Sequence, residues 1–227
     1  MLTESTVLAT SQATGRQRDK EHMWKAIKPV QALLLSVGLL LMGNGLQGTL
    51  LPIRAGIDNF TTFDIGILGS SYFFGFATGC LIGPYMVRRA GHIRAFTGLV
   101  AIASTSALIH VMLPIPPIWW VFRAMTGLCF AALYMIIESW LNERSTNETR
   151  GTVFSIYTII NLTVLTAGQM MLTLSDPAGF ILFGVASILV SLAAVPVAMT
   201  AAPAPAPVGE VKLRIRHLYR VSPVGFV

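Results

Sequence analysis

The chain has 227 residues, of which 54% are hydrophobic and only 11% are charged. Soluble domains carry about 25% charged residues, so this composition excludes a water-soluble globular protein and a disordered chain. The net charge of +6 does not by itself indicate nucleic-acid binding, because membrane proteins collect Lys and Arg in their cytoplasmic loops. We therefore expect a membrane protein that contacts lipid and binds no nucleic acid.

Six long apolar runs follow a polar, basic N-terminal segment. A transmembrane helix needs about 20 apolar residues, and each run is long enough, while none shows the alternating pattern of a membrane β-strand. We therefore predict an all-α membrane protein, a bundle of six transmembrane helices. The predicted spans are residues 30–51, 65–87, 93–113, 118–141, 152–174 and 178–199. Pro52 is expected to close the first span, because proline removes a helical hydrogen bond.

The regions outside the spans predict the domain organisation. Residues 1–28 are expected to form a cytoplasmic arm before a six-helix domain at 29–200. Residues 201–221 combine an Ala/Pro run with a basic stretch, which is typical of an extended linker near anionic lipid. Residues 222–227 read as the start of a further apolar run, so we expect a seventh helix that is cut short here.

The basic residues predict the orientation. The N-terminal segment, the second and fourth loops and the C-terminal tail, with Arg94, hold 14 of the 16 Lys and Arg residues. Of the other two, Arg54 lies in the opposite set of loops and Arg123 lies within a span. Because basic loops stay in the cytoplasm, both ends of the chain are predicted to be cytoplasmic, in a multi-pass protein of the inner (plasma) membrane.

Arg123 is the first candidate for a functional residue. A charge near the middle of a transmembrane helix costs about 2.5 to 3.5 kcal/mol on insertion scales, so it calls for an explanation. One interpretation is a cation that lines a cavity, where it binds an anionic group or modulates a proton site. The alternative is a structural arginine that snorkels or caps carbonyl groups of a neighbouring helix.

Glu138 lies 15 residues further along the same span, about 22 Å from Arg123 at the helical rise. The two side chains therefore cannot pair. We expect Glu138 to form an ion pair with Arg88, Arg89 or Arg150 near the cytoplasmic end. A proton-carrying carboxylate is the alternative, since Glu138 is the only carboxylate within an apolar run.

Polar residues and glycines mark further faces of the predicted helices. Asn44 and Gln47 are three residues apart, which favours a shared face. A second polar stripe contains Tyr157 and Asn161 at a spacing of four, with Gln169 eight residues later.

His110 is interpreted as a residue of the outer membrane interface. The predicted cavity residues are Asn44, Gln47, Tyr72, Arg123, Tyr157 and Asn161, and the predicted packing glycines are Gly75, Gly79, Gly83 and Gly127.

Motifs of soluble enzymes are absent from the sequence, which contains no HExxH, paired CxxC, GxSxG or Walker loop. We therefore expect no enzymatic activity, no cofactor and no metal site.

The loop between the second and third spans resembles a motif of the major facilitator superfamily. The family pattern is Gly-x-Leu-Ala-Asp-Arg-x-Gly-Arg-Arg, and Arg89 and Gly91 match its Arg and second Gly. Pro84 replaces the first Gly, and Arg88 replaces the Asp. The Arg-x-x-x-Gly motif of the fourth helix is matched by Arg123 and Gly127. The pair Arg150-Gly151 after the fourth span is also similar to the family. Glu138-Ser139 resembles a group of uncharacterised bacterial inner-membrane members.

The resemblance implies the N-terminal six-helix half of a secondary transporter for small solutes, in which solute movement can be coupled to protons. In this family two six-helix halves enclose the solute site and rock to alternate access. The resemblance implies an inner gate, in which Glu138 would replace the missing Asp. The gating candidates are Arg88, Arg89, Gly91, Glu138 and Arg150. The expected partner is the missing C-terminal half or a second copy, and the alternative function is a non-transporting six-helix membrane subunit that binds another protein.

Overall fold

The computed structural model describes residues 30–199. The predicted N-terminal arm, linker and seventh helix lie outside the described residues. Within residues 30–199 the chain forms helices and no strands, and the predicted all-α six-helix membrane bundle is confirmed. The helices are α1 (Gln31–Ile57), α2 (Thr62–Ala90), α3 (His92–Met112), α4 (Pro116–Arg144), α5 (Arg150–Met170), α6 (Ile181–Leu192) and α7 (Ala194–Ala198). A 3₁₀ turn, Met171–Leu174, extends α5, and α6 and α7 together form the sixth span.

The first helix does not end at Pro52, as its sequence predicted, but continues to Ile57. A proline in the last turns removes a single backbone hydrogen bond, which packed neighbours in a bundle can offset. The end of α1 is further held by Arg54, whose Nε donates to Asp58 Oδ2 at 2.9 Å. The Arg54 Nη1 also donates to the Ala178 carbonyl oxygen in the loop before α6. These contacts join two loops at the same end of the bundle.

The second helix begins with a capping box. Asp64 N donates to Thr61 Oγ1 at 3.2 Å, and Thr61 N donates to Asp64 Oδ2 at 3.0 Å. Both bonds satisfy backbone N–H groups that the start of a helix otherwise leaves without a partner. The Trp120 indole also donates to the Asp64 carbonyl oxygen at 3.1 Å. The cap therefore fixes the start of α2 against α4.

We expect Thr61→Ala to lower the free energy of unfolding by about 1 kcal/mol, because it removes the capping hydroxyl. The measurement is the thermal unfolding midpoint of the chain in detergent. Thr62→Ala is the control, since Thr62 is exposed at the adjacent position and does not take part in the cap. Equal midpoints for the two variants would contradict a stabilising role of the cap.

The bundle has a buried centre and two less buried helices. Helix α1 packs against α5 and α6, α4 packs against α2 and α3, and α3 also contacts α6. The core is formed mainly by apolar side chains of α1, α3 and α4, such as Leu40, Phe96 and Phe130. By contrast, α2 and α5 are largely exposed outside the stripe that packs on their neighbours. Large apolar side chains such as Phe74 and Leu162 project from them.

Glycines bring α2 and α4 into backbone contact. A Cβ atom at Gly75 would overlap the carbonyl oxygen of Ala124, and one at Gly127 would overlap that of Tyr72. At Gly79 the added atom would lie 2.8 Å from Ala131 Cβ, which is also too close. At Gly83 the nearest atom, Met135 Cε, is 3.2 Å away and belongs to a flexible side chain. Small residues at such contacts let transmembrane helices approach closely.

Candidate functional site

A cavity of about 210 Å³ lies where α1, α2, α4 and α5 meet, and Arg123 lines it. We call it the Arg123 cavity. Its other lining residues are Asn44, Gly45, Gly48, Gly69, Tyr72, Phe73, Leu165 and Gln169. Three of the six predicted cavity residues, Asn44, Tyr72 and Arg123, therefore lie together. Four helices contribute to this cavity, whereas α3 and α6 contribute none of its lining.

Arg123 is largely buried and makes no ion pair within residues 30–199. Its guanidinium carbon lies 4.4 Å from the centre of the Tyr72 ring, within the range of a cation–π contact. Its Nη1 is buried and has no hydrogen-bond partner in the described part of the chain. The guanidinium is therefore positioned by an aromatic face while part of its donor capacity is unused.

Neutral polar groups surround this cation. The Asn44 side chain lies close enough to the Tyr72 hydroxyl to interact with it. Gln169, near the end of α5, also lines the cavity. The sequence pattern grouped Gln169 with Tyr157 and Asn161, but it did not predict a site with Arg123. In the sequence, Gln169 is visible only as an amide within an apolar helix. Which cavity this side chain faces depends on the neighbouring helix.

Gln47 does not line the Arg123 cavity, although its spacing from Asn44 predicted a shared face. The side chain is 2% exposed, and its Nε2 has no partner among the described residues. Gly43, one turn earlier in α1, faces Val190 and the Ala186 carbonyl of α6. Three residues advance an α-helix by about 300°, so the two side chains point about 60° apart around the helix axis. This difference is enough to separate Asn44 from Gln47 at this tightly packed helix.

A second polar group lies nearer the C-terminal end of α4 and the N-terminal end of α5. We call it the Glu138 cluster: Tyr134, Glu138, Tyr157 and Asn161. The Tyr157 hydroxyl donates to Glu138 Oε1 at 3.5 Å. Asn161 lies beside the hydroxyls of both Tyr134 and Tyr157. Tyr134 and Glu138 also line an open cavity of about 720 Å³. Tyr157 and Asn161 were predicted to share a cavity with Arg123, but they belong to this separate cluster.

The predicted ion pair between Glu138 and a cytoplasmic arginine is wrong within the described residues. No ion pair joins Glu138 to Arg88, Arg89 or Arg150, and its polar partner is the Tyr157 hydroxyl. Arg89 contacts Tyr85 instead, with Nη1 donating to the Tyr85 hydroxyl at 3.3 Å. Glu138 is exposed, so water or a further protein surface can solvate the carboxylate and the expected pairing is not required.

Gly91 connects α2 and α3 directly. It is the only residue between the two helices, and its φ of 82° lies in the left-handed half of the Ramachandran plot. A residue with a Cβ atom is strained in this conformation. The match of Gly91 to the family loop motif therefore has a local physical reason, which is the sharp reversal of the chain at this position.

His110 lies near the end of α3, where the outer interface was predicted, and its side chain is fully buried in the bundle. Its ring lies 5.3 Å from the Trp119 ring, centre to centre. Its Nδ1 contacts the carbonyl oxygen of Ser106, and its Nε2 has no partner among the described residues. Trp119 at the start of α4 covers this histidine, which sequence position alone did not reveal.

Comparison with known proteins gives a family match over most of the chain. Residues 17–224 match the family profile described as Major Facilitator Superfamily. The chain is similar to "Uncharacterized MFS-type transporter YcaD" of Escherichia coli O45:K1 (strain S88 / ExPEC), with 26% identity over 147 residues. The protein of the same name from Escherichia coli O157:H7 (strain EC4115 / EHEC) is also 26% identical over 147 residues. These alignments cover 64% of this chain but 38% of each relative. No solved structure gives a significant match.

Proposed function

Because the chain belongs to the Major Facilitator Superfamily, we propose that it provides one six-helix half of a secondary active transporter for small solutes. The observation that carries the proposal is the Arg123 cavity, in which four helices surround a largely buried cation and neutral polar groups. Ionisable residues within membrane helices mark solute or ion pathways because they are costly in lipid. The transported solute would bind in this cavity, and access to it would alternate between the two sides of the membrane.

A second six-helix unit would complete the site. The helices α2 and α5 expose apolar side chains such as Phe73 and Ile159, and both helices also line the Arg123 cavity. A partner that covers these two helices would close the cavity towards lipid and leave access from one end at a time. This unit would be a C-terminal half or a second copy of the chain.

The Glu138 cluster would act as the inner gate of this transporter. Glu138 is exposed at the same end of the bundle as Arg88, Arg89, Gly91 and Arg150. In the proposal Glu138 accepts from Tyr157 in one state and pairs with a basic group of the second unit in the other. Glu138 is also the proposed proton carrier if transport is proton-coupled, since a carboxylate in a membrane helix can load and release a proton.

The proposed location is the inner (plasma) membrane, with the N-terminus in the cytoplasm. Among residues 30–199, Arg88, Arg89, Arg144 and Arg150 lie at one end of the bundle, and Arg54 lies at the other end. This asymmetry supports the orientation, because positively charged loops remain on the cytoplasmic side.

We expect Asp58→Cys to react with a membrane-impermeant thiol reagent in intact cells, and Asn147→Cys to react only after the cells are opened. Asp58 lies in the loop after α1, and Asn147 is exposed in the loop before α5. The background should lack Cys80 and Cys129, the two native cysteines. The reverse labelling pattern would exclude the proposed orientation.

The transport function can be tested without knowing the solute. A strain that lacks the gene is compared with the parent and with a complemented strain, and small molecules in the cells and medium are measured by mass spectrometry. We expect at least one solute to change its distribution in the deletion strain and to return on complementation. An unchanged profile, together with stable co-purification of another membrane protein, would favour the non-transporting subunit instead.

A further inference from the structure

We infer that the Arg123 cavity binds a carboxylate with a single negative charge, so that the solute is a small organic monocarboxylate. This inference rests on the proposed transport function for the identity of the solute, but the binding itself can be measured separately. It depends on the charge, the unused donor and the lining of the cavity.

The charge of Arg123 has no counterion in the described part of the chain. The ion pair found there joins Arg54 to Asp58, and none of the Asp and Glu residues between positions 30 and 199 lines the Arg123 cavity. A buried charge without a partner is strongly destabilising. A bound anion would supply the missing negative charge, and the buried Nη1 without a partner is a donor that such an anion can use.

The number of charges favours a monoanion. Among residues 30–199, Arg123 is the only basic residue that lines the cavity, so this six-helix unit offers one positive charge to the ligand. A carboxylate matches that charge and also fits the planar fork of a guanidinium, which binds both carboxylate oxygens. A phosphate group carries up to two negative charges near neutral pH and would leave charge uncompensated in this cavity.

The remaining lining indicates a short ligand with further polar groups. Asn44, Gln169 and the Tyr72 hydroxyl offer neutral donors and acceptors, which suit a hydroxyl or keto group beside the carboxylate. The part of the site formed by this six-helix unit, about 210 Å³, is smaller than the pockets of about 300 to 1,000 Å³ that hold drug-sized ligands. The contact of Arg123 with the Tyr72 ring, at 4.4 Å, would keep the guanidinium in place while the ligand enters and leaves.

The binding test uses the purified 227-residue chain in detergent and ligand-observed saturation-transfer NMR. The probes are acetate, lactate, pyruvate and benzoate, with lactamide as the neutral counterpart of lactate and with choline and inorganic phosphate as ions of other classes. We expect at least one monocarboxylate to bind, and lactamide, choline and phosphate to bind at least about tenfold more weakly than that monocarboxylate. Binding of none of the four monocarboxylates, equal binding of lactamide and the best monocarboxylate, or preferential binding of choline or phosphate would overturn the inference.

Three variants assign the signal to Arg123. Arg123→Gln should weaken monocarboxylate binding about tenfold or more, because hydrogen bonds to a charged group are lost. Arg123→Lys keeps the charge and should fall between Arg123→Gln and the unchanged chain, which separates loss of binding from loss of folding. Arg94→Gln removes the same charge from an exposed position of α3 and should leave binding unchanged. Binding that survives in Arg123→Gln would overturn the inference.

Failure of this inference can be told apart from failure of the proposed function. If the deletion strain redistributes a neutral or cationic solute, the transport proposal stands and the monocarboxylate inference is overturned. If monocarboxylates bind through Arg123 but no solute changes its distribution in the deletion strain, the binding inference stands and transport is contradicted.

Discussion

Gly75→Ala is expected to destabilise the bundle by about 1 to 3 kcal/mol, the usual cost of forcing an extra methyl group into a packed site. The added Cβ would overlap the Ala124 carbonyl oxygen, so α2 would have to move away from α4. The contact between α2 and α4 is the most extensive helix contact in the described structure. Backbone atoms cannot relieve such an overlap by changing rotamer, as a side chain can. Gly75→Val should be more destabilising than Gly75→Ala.

Gly66→Ala provides the matched control on the same helix. A Cβ at Gly66 would meet no atom within 4 Å, and alanine is favoured over glycine in a helix by about 0.5 to 1 kcal/mol. We therefore expect opposite signs for the same chemical change at two positions of α2. The measurement is the thermal unfolding midpoint in detergent. Equal unfolding midpoints for Gly75→Ala and Gly66→Ala would contradict the close contact between α2 and α4.

Arg123→Gln is expected to reduce transport by about 10- to 100-fold, since hydrogen bonds to a charged group contribute about 1.5 to 3 kcal/mol. Glutamine carries a neutral amide group in place of the charged guanidinium fork of arginine. The measurement is the solute distribution of the deletion strain complemented with the variant, at matched amounts of protein in the membrane.

The control for this prediction is Arg94→Gln, which removes one positive charge at an exposed position of α3. It should restore transport as the unchanged gene does. Arg123→Lys should restore transport partly, because the ammonium group retains the charge and lacks the planar fork. Full transport by Arg123→Gln would exclude Arg123 from the solute site.

The helices could be predicted from the sequence because length and apolar composition determine which segments can cross a membrane. Their ends could not be predicted equally well. Pro52 is tolerated inside α1, and Thr61 and Asp64 begin α2 three residues before the predicted start of that span. These ends depend on caps and on contacts such as Arg54 with Ala178, which apolar periodicity does not record.

The site could be predicted only in part, for a related reason. A charge in an apolar run identified Arg123, and Tyr72 and Asn44, which line the same cavity, were found among the polar residues of other spans. Periodicity along one helix does not give the neighbouring helix or the depth, so Tyr157 was assigned to the wrong cavity. The expected pairing of Glu138 was also wrong, because a rule about lone carboxylates in lipid does not anticipate an exposed carboxylate with a tyrosine partner.

The central claim is that the Arg123 cavity belongs to one half of a transporter and needs a second six-helix unit. The most direct measurement is uptake into liposomes by the purified 227-residue chain, using the solute identified in cells, with the oligomeric state determined in the same preparation. The account predicts no uptake by the monomer, and uptake when a second six-helix unit is present, either as a C-terminal half or as a second copy. A stable monomer that catalyses solute uptake by itself would contradict the account.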